Sequence, residues 1–253
     1  IQPPHSGRNL LLVVDLSGSM AAEDMQLGGR IVDRLTAVKA VLADFLDRRV
    51  GDRVGLLLFG ERAYAVTPLT LDRNSVRQQL IDSVVGLAGQ ETAIGDAIAL
   101  AVKRLSDPDS ADENGGQRVV ILLTDGVNTA GSIAPDRATQ LAASAKVRVH
   151  TIGFGGEGVD SFMGMRLQRA AQIDEPMLRR MADSTGGRYF RARDTAELAG
   201  IYAELDRIEP SAQPGEVLQP RIERYVWPLG LAFVLAALAL AGRLQSGRER
   251  VWN

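Results

Sequence analysis

Leu10-Leu-Leu-Val-Val-Asp15-Leu-Ser17-Gly-Ser19 is the stretch whose reading decides the fold. An unbroken apolar run is what a strand covered on both faces requires, and such strands belong to parallel sheets. The run ends abruptly in one carboxylate and two hydroxyls. Hard oxygen atoms converging at a strand end suit a small divalent cation such as Mg²⁺. Val119 to Leu123 repeats the pattern and delivers Thr124-Asp125-Gly126, and Gln90-Glu91-Thr92 stands just ahead of a helical stretch. Asp15, Ser17, Ser19, Thr92 and Asp125 therefore form a candidate metal-ligand set, all oxygen, drawn from three loops.

Working outward, Leu10–Asp15, Val54–Phe59, Ala63–Thr67, Arg118–Thr124, Arg148–Ile152 and Arg188–Phe190 read as strands. Helical spacing recurs between them. Leu35, Val38, Leu42, Phe45 and Leu46 share a face, and Gly51 closes that helix. Asp72 predicts an N-cap for a helix carrying Val76, Leu80 and Val84. Ile94, Ile98, Val102 and Leu105 define the helix after Thr92, and further helices fit Asp136–Ala145, Glu175–Ser184 and Thr195–Ile208. Strands alternating with helices imply an α/β fold with a doubly wound, mostly parallel sheet. The pair joined through Gly60-Glu61-Arg62 predicts a hairpin, hence one antiparallel edge strand. In open α/β sheets ligands bind beyond the carboxyl ends of strands, where the strand order reverses. Asp15 and Asp125 both fall at such ends.

Asp-x-Ser-x-Ser with a distant Thr and a distant Asp resembles the metal-ion-dependent adhesion site (MIDAS) of von Willebrand factor A (vWA) domains. The match runs through Asp15, Ser17, Ser19, Thr92 and Asp125. Asp33-Arg-Leu-Thr-Ala-Val-Lys39, Gly51-Asp-Arg-Val-Gly55, Pro68-Leu-Thr-Leu-Asp72, Thr92-Ala-Ile-Gly-Asp-Ala-Ile98 and Gly186-Gly-Arg-Tyr-Phe190 extend it. They resemble the bacterial membrane-anchored vWA proteins of the Bat aerotolerance type (BatA/BatB). The resemblance covers the chain from about Asn9 onward. It implies a Rossmann-like vWA fold and a bound Mg²⁺ (or Mn²⁺). The hydroxyls would coordinate directly, the carboxylates partly through water, and one position would stay open for an acidic residue of a protein partner. It further implies partners among other Bat-type membrane proteins and a MoxR-type AAA+ ATPase, in envelope stress or complex assembly.

The 253 residues divide into an N-terminal extension (1–8), a vWA domain (9–208), a linker (209–224) rich in Pro and Gln, an apolar helix (225–242) and a short basic tail (243–253). Tyr225 to Gly242 carries no charge, would span about 27 Å as a helix, and opens with Tyr225 and Trp227. It reads as a transmembrane anchor in the bacterial inner membrane. Arg243, Arg248 and Arg250 beyond it favour a cytoplasmic tail, hence an extracytoplasmic vWA domain, although Arg221 and Arg224 weigh on the other side. Ile1 stands where an initiator Met would, and the resembling family carries transmembrane helices ahead of its vWA domain. A net charge of −2 gives no basic surface for nucleic acid. The absence of Cys excludes disulfides, thiolate metal sites and Cys nucleophiles.

Each motif alone has a plainer reading. Asp-x-Ser-x-Ser can be an Asx-turn, Thr92 an N-cap and Thr124-Asp125-Gly126 a turn. Their joint occurrence at the right strand ends favours the metal site. Gly153-Phe-Gly155-Gly-Glu-Gly158 has dinucleotide spacing, but no helix start follows it, so a flexible glycine loop is the better reading. That loop, Gly155 to Ile173, is either a mobile rim of the metal face carrying Phe162, Met163 and Met165 or a disordered insertion. Ala21 to Arg30 is expected to rim the same face. His150 reads as a packed strand residue. With only His5 besides, and Ser17 outside a nucleophile elbow, the sequence argues against a Ser/His/Asp triad. The expected function is a non-enzymatic interaction module. The rival is a Mg²⁺-dependent phosphoryl-transfer enzyme, which would want a second acid two residues after Asp15, where Ser17 stands, and a phosphate-holding Lys or Arg. A scaffold that keeps the site unused is a third reading.

Overall fold

The computed structural model describes residues 8–107, 117–155, 157–162, 165–170 and 173–210. One six-stranded sheet carries the domain. Its strands are β1 (Asn9–Asp15), β4 (Arg53–Phe59), β5 (Ala63–Thr70), β6 (Arg118–Thr124), β7 (Arg148–Phe154) and β10 (Tyr189–Ala192). The order across the sheet is β10-β7-β6-β1-β4-β5. All neighbours are parallel except β4 and β5, so the hairpin and the antiparallel edge are as read. From β1 the chain first builds outward through β4 and β5, then returns to the other side for β6, β7 and β10. The strand order therefore reverses between β1 and β6.

Alternation along β1 explains the layers. Leu10, Leu12 and Val14 point to one side and pack with α1 (Arg34–Arg48), α2 (Arg73–Asp82) and α6 (Thr195–Ile208), through Leu42, Phe45, Leu80 and Tyr202 among others. Leu11 and Val13 point to the other side and pack with α3 (Ile94–Leu105), α4 (Pro135–Ser144) and α5 (Glu175–Ser184), through Ile98, Ala138 and Leu178. Every one of these strand residues is essentially buried. Burying a Leu or Val side chain contributes about 1.5–3 kcal/mol, so the central strands are where the fold is decided. Asp33, Asp72, Asp174 and Asp194 cap α1, α2, α5 and α6 with their carboxylates.

Two hairpins depart from the sequence reading. Within Ala21–Arg30 and just beyond, β2 (Met25–Leu27) pairs antiparallel with β3 (Arg30–Val32). Gly28 and Gly29 join them at φ 58° and 80°, the left-handed pair that a two-residue hairpin turn demands. The segment expected as a flexible glycine loop, Gly155 to Ile173, is not a loop: β8 (Glu157–Phe162) pairs antiparallel with β9 (Met165–Ala170). Backbone groups in that segment find partners in each other, which removes the need for a long unpaired stretch. No helix opens after Gly153-Phe-Gly155, so the dinucleotide spacing has no phosphate-binding context. No helix among the described residues is long and apolar enough to cross a membrane. The expected span, 225–242, lies outside the described residues.

At the amino ends of the parallel strands sits a buried ionic group. Glu209 accepts from Arg148 and faces His150 Nε2 at 3.2 Å, with Arg8 Nη1 at 3.1 Å. Arg188 N donates to His150 Nδ1, so the neutral ring carries its proton on Nε2, toward Glu209. Burial pushes Glu209 up, but the hydrogen bonds from His150 and Arg148 and the charges of Arg148 and Arg8 outweigh it and hold the carboxyl at about 2. His150 is thus buried in its strand and also positions the residue that follows α6.

Candidate metal centre

The reversal between β1 and β6 places Asp15 and Thr124 side by side, continuing the register Val14 with Leu123. Thr124 Oγ donates to Asp15 Oδ2 at 2.6 Å, and Ser17 N donates to Asp15 Oδ1 at 2.8 Å. Leu16 N reaches Phe59 O and Gly18 N reaches Gln90 O, which anchor the loop on both flanks. A 3-10 turn over Gly18–Ala21 then brings the Ser19 hydroxyl back over the strand ends. Ser19 Oγ donates to Asp125 Oδ1 at 2.6 Å and lies 3.0 Å from Ser17 Oγ. Asp15, Ser17 and Asp125 are buried, whereas Ser19 is exposed, so the group opens to solvent on one side.

Thr92 comes from the start of α3, yet it is not the N-cap, which is Ala93. The loop after Asp125 takes over that task. Asn128 Oδ1 accepts from Gly95 N, and Thr129 N and Ala130 N both donate to Thr92 O. Thr92 N in turn donates to Thr129 Oγ1. The Thr92 hydroxyl, relieved of capping, makes no hydrogen bond among the described residues. A Cβ built on Gly126 would lie 3.6 Å from Thr92 Oγ1 and 4.0 Å from Ser19 Oγ, which shows these hydroxyls gathered about one point. All five sequence-derived positions are therefore brought together.

The electrostatics of the group ask for a cation. Burial and then the nearby Asp125 charge push Asp15 up to about 7, against the hydrogen bonds from Thr124 and Ser17. Burial also raises Asp125, opposed by Ser19 and Arg34. Two carboxylates out of water and close together favour a positive charge between them. The donors are oxygen only, as Mg²⁺, Mn²⁺ or Ca²⁺ prefer, with no nitrogen or sulfur to select zinc. Among the described residues no cluster of three or more His, Cys, Asp or Glu is placed to hold a metal; the carboxylates gathered at this point are Asp15 and Asp125.

Sequence reading missed three residues here. Thr124 orients Asp15. Arg34, the first residue of α1, donates from Nη1 to Asp125 Oδ2 at 2.7 Å. Its Nε and Nη2 hold Asp24, at 3.0 Å to Oδ1 and 2.6 Å to Oδ2. Arg34 is buried despite its charge. The signal was its place directly after the capping Asp33, where a long cation has no helix-dipole reason to sit.

A model of the von Willebrand factor type A domain matches residues 9–204. The chain belongs to that family. Among solved structures it is similar to BatB from Bacteroides thetaiotaomicron, at 27% identity and TM-score 0.62, covering 80% of this chain and 98% of that one. It is also similar to an aerotolerance-related membrane protein from Bacteroides fragilis, at 25% identity and TM-score 0.63, covering 78% and 98%. A UPF0353 protein of Mycolicibacterium gilvum is 27% identical over 215 residues, 81% of this chain. The chain spans 61% of that curated relative's length. The vWA fold, the MIDAS-like arrangement and the likeness to Bat aerotolerance proteins thus agree.

Proposed function

We propose that this chain is a non-enzymatic, metal-dependent interaction domain that captures a carboxylate of a protein partner. The observation that carries the reading is the convergence of Asp15, Ser17, Ser19, Thr92 and Asp125 where β1 and β6 diverge. Mg²⁺ or Mn²⁺ would be held by these oxygens and would supply a Lewis-acidic position for an external carboxylate. Two carboxylates and three hydroxyls leave one of six octahedral places open and the cation under-neutralised, which favours a carboxylate from outside as the sixth ligand. Exposed Val84 and Leu87 lie on the loop whose Gly86 N donates to Leu16 O, and so flank the site with apolar surface. The phosphoryl-transfer rival needs a free cation for phosphate. Arg34 already spends Nε and Nη2 on Asp24 and Nη1 on Asp125, and no second acid stands at Ser17.

Likeness to membrane proteins of the Bat type supports membrane association; the charge-free run 225–242 would supply the anchor, and Arg243, Arg248 and Arg250 beyond it favour a domain facing away from the cytoplasm. Partners of the same kind, or a MoxR-type ATPase, follow from that likeness alone. Water-proton relaxation with Mn²⁺ on the full chain tests the core of the reading. Saturable enhancement that falls when a Glu-containing peptide is added supports it, as does loss of the enhancement in Asp125→Asn. Absence of enhancement at millimolar Mn²⁺ would falsify it, and metal-dependent hydrolysis of a phosphate ester would favour the rival.

A further inference from the structure

We propose that Arg34 sets the metal selectivity of this site by reserving one oxygen of Asp125, so that the site takes a small octahedral cation in preference to Ca²⁺. The inference rests on the metal-site reading above and concerns only how that site discriminates.

The two oxygens of Asp125 have different neighbours. Oδ1 accepts from the exposed Ser19 hydroxyl, which can turn its proton aside and offer a lone pair instead. Oδ2 accepts from Arg34 Nη1 at 2.7 Å. A guanidinium cannot turn aside in that way, because it has donors only and no lone pair to offer. Arg34 is also fixed at its far edge. Nε and Nη2 make a two-pronged contact with Asp24, and Arg34 N donates to Ala22 O at the helix start. Asp33 accepts from Thr36 N and Thr36 Oγ, which holds the first turn of α1 in place. The cation is therefore braced from its backbone and from its outer edge, and Asp125 is left with a single oxygen for the site.

That restriction bears differently on the two hard cations. Ca²⁺ accepts six to eight oxygens and can take a carboxylate by one oxygen or by both, whereas Mg²⁺ demands near-octahedral geometry and gains little from a bidentate carboxylate. Asp15 is restricted as well, with Oδ1 on Ser17 N and Oδ2 on Thr124 Oγ. A site whose two carboxylates are both partly spoken for loses the bidentate contacts that favour Ca²⁺, and loses nothing that Mg²⁺ uses. Arg34 also lowers the charge felt by any bound ion, which leaves that ion in greater need of an external carboxylate. Arg34 is a positioning residue: it touches Asp125, not the ion.

Calorimetric titration of the full chain with MgCl₂, MnCl₂ and CaCl₂ tests this, comparing wild type with Arg34→Gln. Wild type should bind Mg²⁺ and Mn²⁺ more tightly than Ca²⁺. In Arg34→Gln the ratio of Ca²⁺ to Mg²⁺ affinity should rise by about tenfold, with Ca²⁺ binding tighter in absolute terms. A purely structural role would weaken all three ions together and leave the ratio unchanged, which overturns the inference. Should Arg34→Gln fail to fold, Arg34→Lys keeps a buried cation but lacks the planar fork that braces Asp24 and Asp125 together. The ratio should then move in the same direction by about threefold, and an unchanged ratio overturns the inference. If wild type binds none of the ions, the metal-site reading itself is at fault.

Discussion

Replacing Asp15 by Asn should stabilise the metal-free protein while destroying its metal site. Burial and the charge of Asp125 raise the Asp15 carboxyl from 3.8 to about 7. The folded chain therefore keeps this proton over a range in which the unfolded chain has lost it. The contribution of Asp15 to stability is full below about pH 4, declines as pH rises toward 7, and is level above. The shift corresponds to a penalty of about 4 kcal/mol at pH 8. Asn has no charge to desolvate and keeps the shape. Its Oδ1 can still accept from Ser17 N, but its amide must donate where Thr124 Oγ now donates. Turning that hydroxyl round costs about 1 kcal/mol. In EDTA, Asp15→Asn should thus be less stable than wild type by about 1 kcal/mol at pH 4 and more stable by about 2–3 kcal/mol at pH 8. Urea unfolding at pH 4, 6 and 8 measures the crossing. Millimolar Mg²⁺ at pH 8 should then stabilise wild type and leave the variant unmoved, because only wild type gains a ligand. A variant less stable than wild type at pH 8 in EDTA, or a wild type whose stability is flat from pH 4 to 8, refutes the reasoning.

Glu209→Gln should behave in the opposite sense. Because the Glu209 carboxyl is held at about 2, it contributes stability above its ordinary pKa of 4.5 that is lost as pH falls from there toward 2. The variant should lose about 3 kcal/mol at pH 7 and show a flattened acid transition, followed by circular dichroism, and an unaltered acid profile would count against it. Gly95→Ala should cost at least about 3 kcal/mol, because its Cβ would fall 1.8 Å from Ile133 O, between α3 and the loop that orders Thr92. A melting temperature within a degree of wild type would show that this loop yields.

Much of this molecule can be read before it is seen, and the reason lies in β1. Residues 10–14 face two cores at once, so their apolar run could not be shortened or interrupted without exposing one of them. The same constraint made β6 and β4 visible, and it located Asp15 and Asp125 at the ends of neighbouring strands. Thr92 was legible through its place ahead of an apolar helix, although not why its hydroxyl is spare. That depends on Asn128 and Thr129, which cap and clamp from a loop far along the chain. Arg34 stood out only by its place at the start of α1; its partner Asp125 lies 91 positions away, and periodicity says nothing about such a pair. The β2–β3 hairpin did carry a local signal in Gly28-Gly29, flanked by short apolar segments. The β8–β9 hairpin was hidden by glycines that read as slack. A long structureless stretch inside a compact domain is itself evidence for an overlooked element.

The contact between Arg8 and Glu209 has a mechanical consequence. Arg8 precedes β1 and Glu209 follows α6, and Arg8 Nη1 also donates to Pro210 O at 2.9 Å. A pull between these two points is opposed by this ionic contact, which ties the start of the sheet directly to the end of α6. The ligand face lies at the other end of β1, a seven-residue strand and so roughly 20 Å away. A partner tugging on Asp15 would instead load β1 along its axis, against parallel ladders to β4 and β6 that share the strain rung by rung. On the proposed reading, a load entering at Asp15 meets the ladders of β1 first, a different set of contacts from the Arg8–Glu209 pair.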